Sequence, residues 1–208
     1  MASYLPAPGQ NNFAPAPVGS HVAICCRVVD LGTQEVNYQG QLSKKRQILV
    51  TWELQSEERM TDGRPFTVGK KYTWSMHEKS GLRRDLQTWR GVAFKETDFG
   101  PGGFDIRKIV GQPCLISITH KEKPDGVRSE VAGVMKLPKG THVEPIVNPP
   151  TFVWLDKDDF SQPDFDRLSD KLKATVMQSP EYRAMKSGNS VTTEMLDAGH
   201  DPVDDLPF

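Results

Sequence analysis

The chain has 208 residues, 37% hydrophobic and 25% charged, with a formal net charge of -1, ordinary values for a globular protein of one or two domains with a core of its own. It has no apolar run long enough to cross a bilayer and no charged leader followed by an apolar stretch, so neither membrane association nor secretion is expected, and the cytoplasm is the expected location. Its three cysteines, Cys25, Cys26 and Cys114, are odd in number and lack paired spacing, which argues against a disulfide framework or a zinc site and predicts reduced core thiols.

The small net charge hides a segregation. Residues 1–20 carry no charged side chain, residues 21–142 hold 20 Lys and Arg against 14 Asp and Glu, and residues 143–208 hold 6 against 13. A basic body with an acidic tail suits a polyanion-binding module whose tail reaches a second partner. Residues 1–20, with Pro6, Pro8, Pro15 and Pro17 among Ala, Gly and Asn, lack the apolar side chains to order themselves and predict a disordered arm.

From His21 the character changes. Val22-Ala23-Ile24-Cys25-Cys26-Arg27-Val28-Val29 reads as a first strand ending at Asp30-Leu31-Gly32. In residues 47–54, Ile48, Val50, Trp52 and Leu54 share one face by period-two spacing and make a second strand, led in by Lys44-Lys45-Arg46. After a turn at Gly63-Arg64-Pro65, residues 71–76 make a third strand, with Tyr72, Trp74 and Met76 on one face. The period then changes: Leu82, Leu86 and Trp89 line one side of a short helix, with Ser80 as N-cap and Gly91 as its stop, while Arg83, Arg84 and Arg90 face away from that side.

A helical turn within 104–110 precedes a fourth strand (114–120), a turn at Pro124-Asp125-Gly126 and a fifth strand (129–136). Five strands with a helix between the third and fourth predict a mainly β domain over 21–142, the five-stranded Greek-key barrel called the OB-fold. Pro145, Pro149 and Pro150 predict an extended connector, and Phe165, Leu168, Leu172 and Val176 one modest helix, with a further turn from Ser179-Pro180-Glu181. Residues 143–186 thus read as a linker with short helices, and 187–208 as a flexible acidic tail.

Several segments of the body resemble a family of phage and prophage OB-fold proteins regarded as single-stranded DNA-binding proteins. They are Lys79-Ser80-Gly81-Leu82-Arg83-Arg84-Asp85-Leu86 with Trp89-Arg90-Gly91, then Phe104-Asp105-Ile106, Gly111-Gln112-Pro113-Cys114 and Leu137-Pro138-Lys139-Gly140. The ending, Asp204-Asp205-Leu206-Pro207-Phe208, resembles the acidic tip of bacterial single-stranded DNA-binding proteins, which in that family recruits replication, recombination and repair enzymes. Such an end suits a basic pocket on a partner: the Phe208 ring enters an apolar notch, a cation pairs with the terminal carboxylate, and Asp204 and Asp205 meet a basic rim.

Sequence-independent strand binding needs cations that track phosphates and aromatic faces for unstacked bases. Both are present. Lys44, Lys45 and Arg46 lead into strand two, Lys70 and Lys71 into strand three, and Lys121, Lys123 and Arg128 flank the last hairpin, with Tyr38, Tyr72 and Trp74 close by in sequence. In an OB-fold these clusters converge on one groove. Tyr38 sits in a polar loop and is a stacking candidate; Tyr72 and Trp74 either face the core together or form an exposed platform; Trp52 and Trp89 are in phase with core residues.

No metalloprotease, Cys-x-x-Cys, phosphate-loop or nucleophile-elbow motif is present, and Asp156, Asp158 and Asp159 read as a solvated acidic stretch, so no enzyme, metal or cofactor is expected. The reading is a protein that coats single-stranded DNA and docks replication or repair proteins through its tip. A strand-annealing or recombination-mediator protein and a protein-binding adaptor are the rivals. Whether one barrel acts alone or as a homo-oligomer stays open.

Overall fold

The computed structural model describes residues 14–188 except Gln39, Pro101 and Asp125, with Tyr38 described in its backbone only. The first strand, β1 (Gly19–Tyr38), is twenty residues long. It runs past the expected end at Asp30-Leu31-Gly32, because that segment forms a register shift in a ladder that continues to Tyr38. One edge of β1 pairs with β2 (Gln41–Leu54) from Ala23 to Tyr38. The other edge is shared: antiparallel β4 (Pro113–Lys123) takes Gly19 to Ile24, and parallel β6 (Thr151–Val153) takes Arg27 to Val29. A second shift, between Cys25 and Arg27, falls where β4 leaves and β6 begins, and such bulges bend and twist the strand that carries them.

β3 (Thr67–Thr73) pairs with β2 and β5 (Gly126–Met135) with β4, giving the order β3-β2-β1-β4-β5 with β6 beside β1. The fold is mainly β, but it departs from the expected closed barrel: among the described residues no ladder joins β3 to β5. The two edge strands curl to within 8 Å of each other at Cα without pairing. Ala14, Pro15 and Ala16 line a groove of about 370 Å³ with Thr67, Val68 and Gly69 of β3 and Val127, Arg128 and Ser129 of β5. Ala16 is buried; its carbonyl accepts from Ser129 Oγ at 3.1 Å and lies 2.8 Å from His120 Nε2. This part of the proline-rich arm is therefore seated against the sheet.

The inner face follows the period-two reading. Ile48, Val50, Trp52 and Leu54 are buried with Val28, Ile116, Ile118 and Val134. Helix α1 (Gly81–Arg90) packs on this core through Leu82, Leu86 and Trp89; Ser80 caps it by accepting from Arg83 N, and Gly91 ends it in the left-handed region at φ 72°. Trp89 Nε1 donates to Pro113 O at 2.9 Å and Thr88 Oγ1 to Val134 O at 2.7 Å, tying the helix to β4 and β5. Arg83 donates to Met76 O and Arg90 pairs with Asp98, so these two side chains fasten the segments flanking the helix. The expected turn after it is a 3-10 helix at Ile106–Ile109.

The outer face of β1 carries a second core: Val29 and Leu31 pack with Val153, Leu155, Phe165, Leu168 and Val176. Residues 143–186, expected as a linker, thus hold β6, α2 (Gln162–Asp166), α3 (Asp170–Met177) and the start of α4 (Pro180–Ser187). The single expected helix is two, because extended Ser169 (ψ 153°) interrupts it and restarts α3. Glu53, fully buried, accepts from Val147 N, Asn148 N and Asn148 Nδ2, which pins the connector to β2. At Gly32 (φ +65°) an added Cβ would lie 2.4 Å from Ser179 Cβ, so only glycine lets α4 approach; there Glu181 accepts from the backbone N–H and hydroxyl of Thr33.

Candidate nucleic-acid interface

The pleat of β3 separates its two cations. Lys70 and Tyr72 turn toward α1, where Lys70 Nζ and Tyr72 Oη each donate to Asp85 Oδ2 at 2.8 Å. Asp85 and Tyr72 are buried, and burial first, then the Asp85 charge, push the Tyr72 phenol far above its ordinary value. Tyr72 is therefore a core residue and not a stacking platform, and Lys70 is engaged by a buried carboxylate and not directed at solvent. Lys71, one residue on, points to the opposite, outer face and is exposed.

Trp74 shares the parity of Tyr72 but lies one residue beyond the end of β3, and its environment differs. It is 37% exposed. Its backbone N–H donates to Arg46 O at 2.8 Å, and the Arg46 guanidinium lies 3.4 Å from its ring centroid. Trp154 packs against it at 4.5 Å between centroids, tilted by 48°, and Phe152 stacks on Trp154 at 5.5 Å and 14°. Arg107 lies 5.2 Å from the Phe152 ring and pairs with Asp159 at 2.6 Å. Three rings in series thus carry a guanidinium at each end, an arrangement favoured by the electron-rich ring faces.

Arg46 is held from below. Asp30, fully buried, accepts from both its Nε and Nη2, from Gly32 N at 2.9 Å and from Leu155 N at 3.3 Å. Burial raises the Asp30 carboxyl above its ordinary value, against the pull of Arg46 and the two backbone N–H groups.

Of the remaining cations Lys71 stands on the outer row of β3, and the others belong to β2 and to the β4–β5 hairpin. Thr67, Gly69 and Lys71 are exposed in alternation, and β3 spans roughly 20 Å at about 3.3 Å per residue. At one end Thr67 and Gly69 share their groove with Arg128; at the other Thr73 pairs with Gln47, next to Arg46 and in line with Lys44 and Lys45 on the outer arm of β2. On the β4–β5 hairpin Lys121 and Arg128 are direct cross-strand partners; Lys121 is 3.9 Å from Glu130, and Lys123 is exposed near the turn. The outer face of β2 is narrower than expected, because Leu49 packs against the second core and Thr51 and Glu53 are buried.

The structure therefore brings Arg46 onto Trp74 just past the end of β3, leaves Lys71 exposed on the outer row and places Arg128 on the groove at the strand's other end, while Asp85 engages Lys70 and Tyr72. Tyr38 ends β1 opposite Gln41 and not in a loop; its side chain, and the tip Asp204-Asp205-Leu206-Pro207-Phe208, lie outside the described residues. Missed in the sequence were Phe152, Trp154 and Arg107. The alternation Thr151-Phe152-Val153-Trp154 after Pro149-Pro150 is itself a strand signal.

Among the described residues no group of three or more His, Cys, Asp or Glu is arranged to hold a metal ion, and no helix is long and apolar enough to cross a membrane. Asp156 accepts from Asp158 N, and Asp159 serves Arg107. No protein-family model matches the sequence, and no curated protein is significantly similar to it.

Removing one member of a buried ion pair leaves the other charge uncompensated, at a cost of about 3–5 kcal/mol. Arg46→Ala should lower stability in urea unfolding by about that much, and by clearly less when Asp30→Asn is already present. Equal losses in both backgrounds would show that the two side chains are not coupled.

Proposed function

We propose that this chain is a non-enzymatic, cytoplasmic single-stranded DNA-binding protein that holds the strand by phosphate contacts and base stacking, and that its tip docks replication or repair proteins. The observation that carries the reading is Trp74: a partly exposed indole just past the end of β3, with the Arg46 guanidinium on its ring, Lys71 exposed three residues before it in sequence, and Lys44 and Lys45 immediately before Arg46. Cations beside a partly exposed ring are the two ingredients of sequence-independent strand binding. Duplex DNA offers phosphates but no unstacked base, so the ring favours the single strand.

An OB-fold is supported by the strand order β3-β2-β1-β4-β5, by α1 between β3 and β4, and by the approach of the two edge strands. The strand's path on this reading follows the outer row of β3 between the two hairpin arms.

Titrating the intrinsic tryptophan fluorescence of the full chain with an oligothymidine strand at several salt concentrations, with a duplex control, tests the proposal. Binding should favour the single strand, and log K should fall with log salt by about 0.7 per phosphate contacted. Trp74→Ala should weaken binding about 5- to 150-fold, the equivalent of a stacking contribution of about 1–3 kcal/mol. Absence of binding at low salt would refute the reading.

The docking role is tested separately. Deleting residues 204–208 should leave affinity for the strand equal or higher and abolish capture of replication or repair enzymes by the DNA-bound protein. Unchanged capture by the truncated chain would remove the tip from the proposal.

A further inference from the structure

We infer that the corner between α3 and α4 braces the β1–β2 hairpin arm on which Lys44, Lys45 and Arg46 stand, with Glu181 as the positioning residue. The inference rests on the reading of the chain as a strand-binding protein and assigns the support that fixes the direction of its cationic arm.

The arm has little else to hold it. β4 pairs with β1 only as far as Ile24 and β6 only as far as Val29, while β3 pairs with β2 only from Gln47 onward. From Thr33 to Tyr38 and from Gln41 to Arg46 the two strands therefore have only each other as ladder partners among the described residues. They form a ribbon of roughly 20 Å at about 3.3 Å per residue, and none of its described side chains is buried. A two-stranded ribbon without a core of its own is marginally stable in water. Cations carried on it keep one direction only if its root is held from outside.

The α3–α4 corner grips that root at the residues opposite the cations. Thr33 is the cross-strand partner of Arg46, Gln34 of Lys45 and Glu35 of Lys44. Glu181 accepts from Thr33 N at 2.8 Å and, through its other oxygen, from the Thr33 hydroxyl; Gln34 Nε2 donates to Thr175 O of α3 at 3.2 Å and to Leu31 O at 2.6 Å. The second core has little need of α4: its buried members end at Val176, and no residue of α4 is buried, with Tyr182 and Met185 only partly covered. What α4 adds is a carboxylate that holds both the backbone and the side chain of Thr33. With Asp30 on Arg46, a carboxylate then fixes each strand at the root of the ribbon.

The test joins a binding cycle to hydrogen exchange, both on the full chain. Anisotropy of a labelled oligothymidine gives affinity and salt slope for the unmodified chain, for Glu181→Ala and Glu181→Gln, for Lys44→Ala with Lys45→Ala, and for Glu181→Ala in that double-lysine background. One phosphate contact contributes about 0.7 to the slope of log K against log salt, or about fourfold in affinity at about 0.15 M salt. Glu181→Ala should therefore weaken binding about 4- to 15-fold and lower the slope by about 0.7 to 1.4. Glu181→Gln, which keeps one acceptor, should lose less, and Glu181→Ala should cost less than about twofold once both lysines are gone. Amide exchange in Glu181→Ala should rise over residues 33–46 and stay unchanged over β4 and β5. Equal losses of affinity in both lysine backgrounds, an unaltered slope, or exchange that rises across the whole sheet overturns the inference. An unmodified chain that binds no strand refutes the parent reading, and the arm's part in binding with it.

Discussion

The buried carboxylate of Asp30 is the point on which this architecture turns. It sits at the Asp30–Gly32 bulge of β1 and accepts from Gly32 of the same strand, from Arg46 of β2 and from Leu155 just beyond β6. An isolated charge there would cost several kcal/mol in lost hydration, so the site is tenable only with all of these donors in place. Three consequences follow from one group: β1 is bent so that Gly32 can receive α4, the C-terminal segment is fixed against the sheet, and a guanidinium is directed onto Trp74.

The same strand organises the two cores. β1 buries Val28 on one face and Val29 and Leu31 on the other, which a strand does only when both sides of the sheet are covered. The cover on the outer side comes from residues 144–187 and takes in the outer face of β2, with Glu53 pinned beneath Val147 and Asn148. What remains open is the outer row of β3 and the two hairpin arms, and these carry Lys71, Lys44 and Lys123. The C-terminal segment therefore does more than tether a tail: it narrows the exposed surface and supplies aromatic side chains to its rim.

Much of this was legible from short-range pattern. Ile48, Val50, Trp52 and Leu54 declared the inner face of β2, and Ser80, Leu82, Leu86, Trp89 and Gly91 declared α1, because each signal depends on neighbours within one element. The illegible parts depend on distant partners. Tyr72 and Trp74 share parity, and only Asp85, thirteen residues beyond Tyr72, makes one a core phenol while the other turns out past the strand's end. Lys70 and Lys71 look alike in sequence, yet the pleat gives one to that carboxylate and the other to solvent. Asp30-Leu31-Gly32 carries the composition of a turn, but a bulge uses the same glycine conformation within a continuing strand. Closure of the sheet failed as an expectation because period-two patterning sets the faces of strands and says nothing about whether two edges meet.

The central claim is that strand binding acts on partly exposed Trp74 and leaves the buried pair, Trp52 and Trp89, untouched. The four indole N–H resonances of the ¹⁵N-labelled chain, assigned by single substitutions and followed while oligothymidine is added, address it directly. The account expects the Trp74 signal to move while those of buried Trp52 and Trp89 stay in place. Movement of the buried pair alone, or of none of the four at saturating strand, would contradict it.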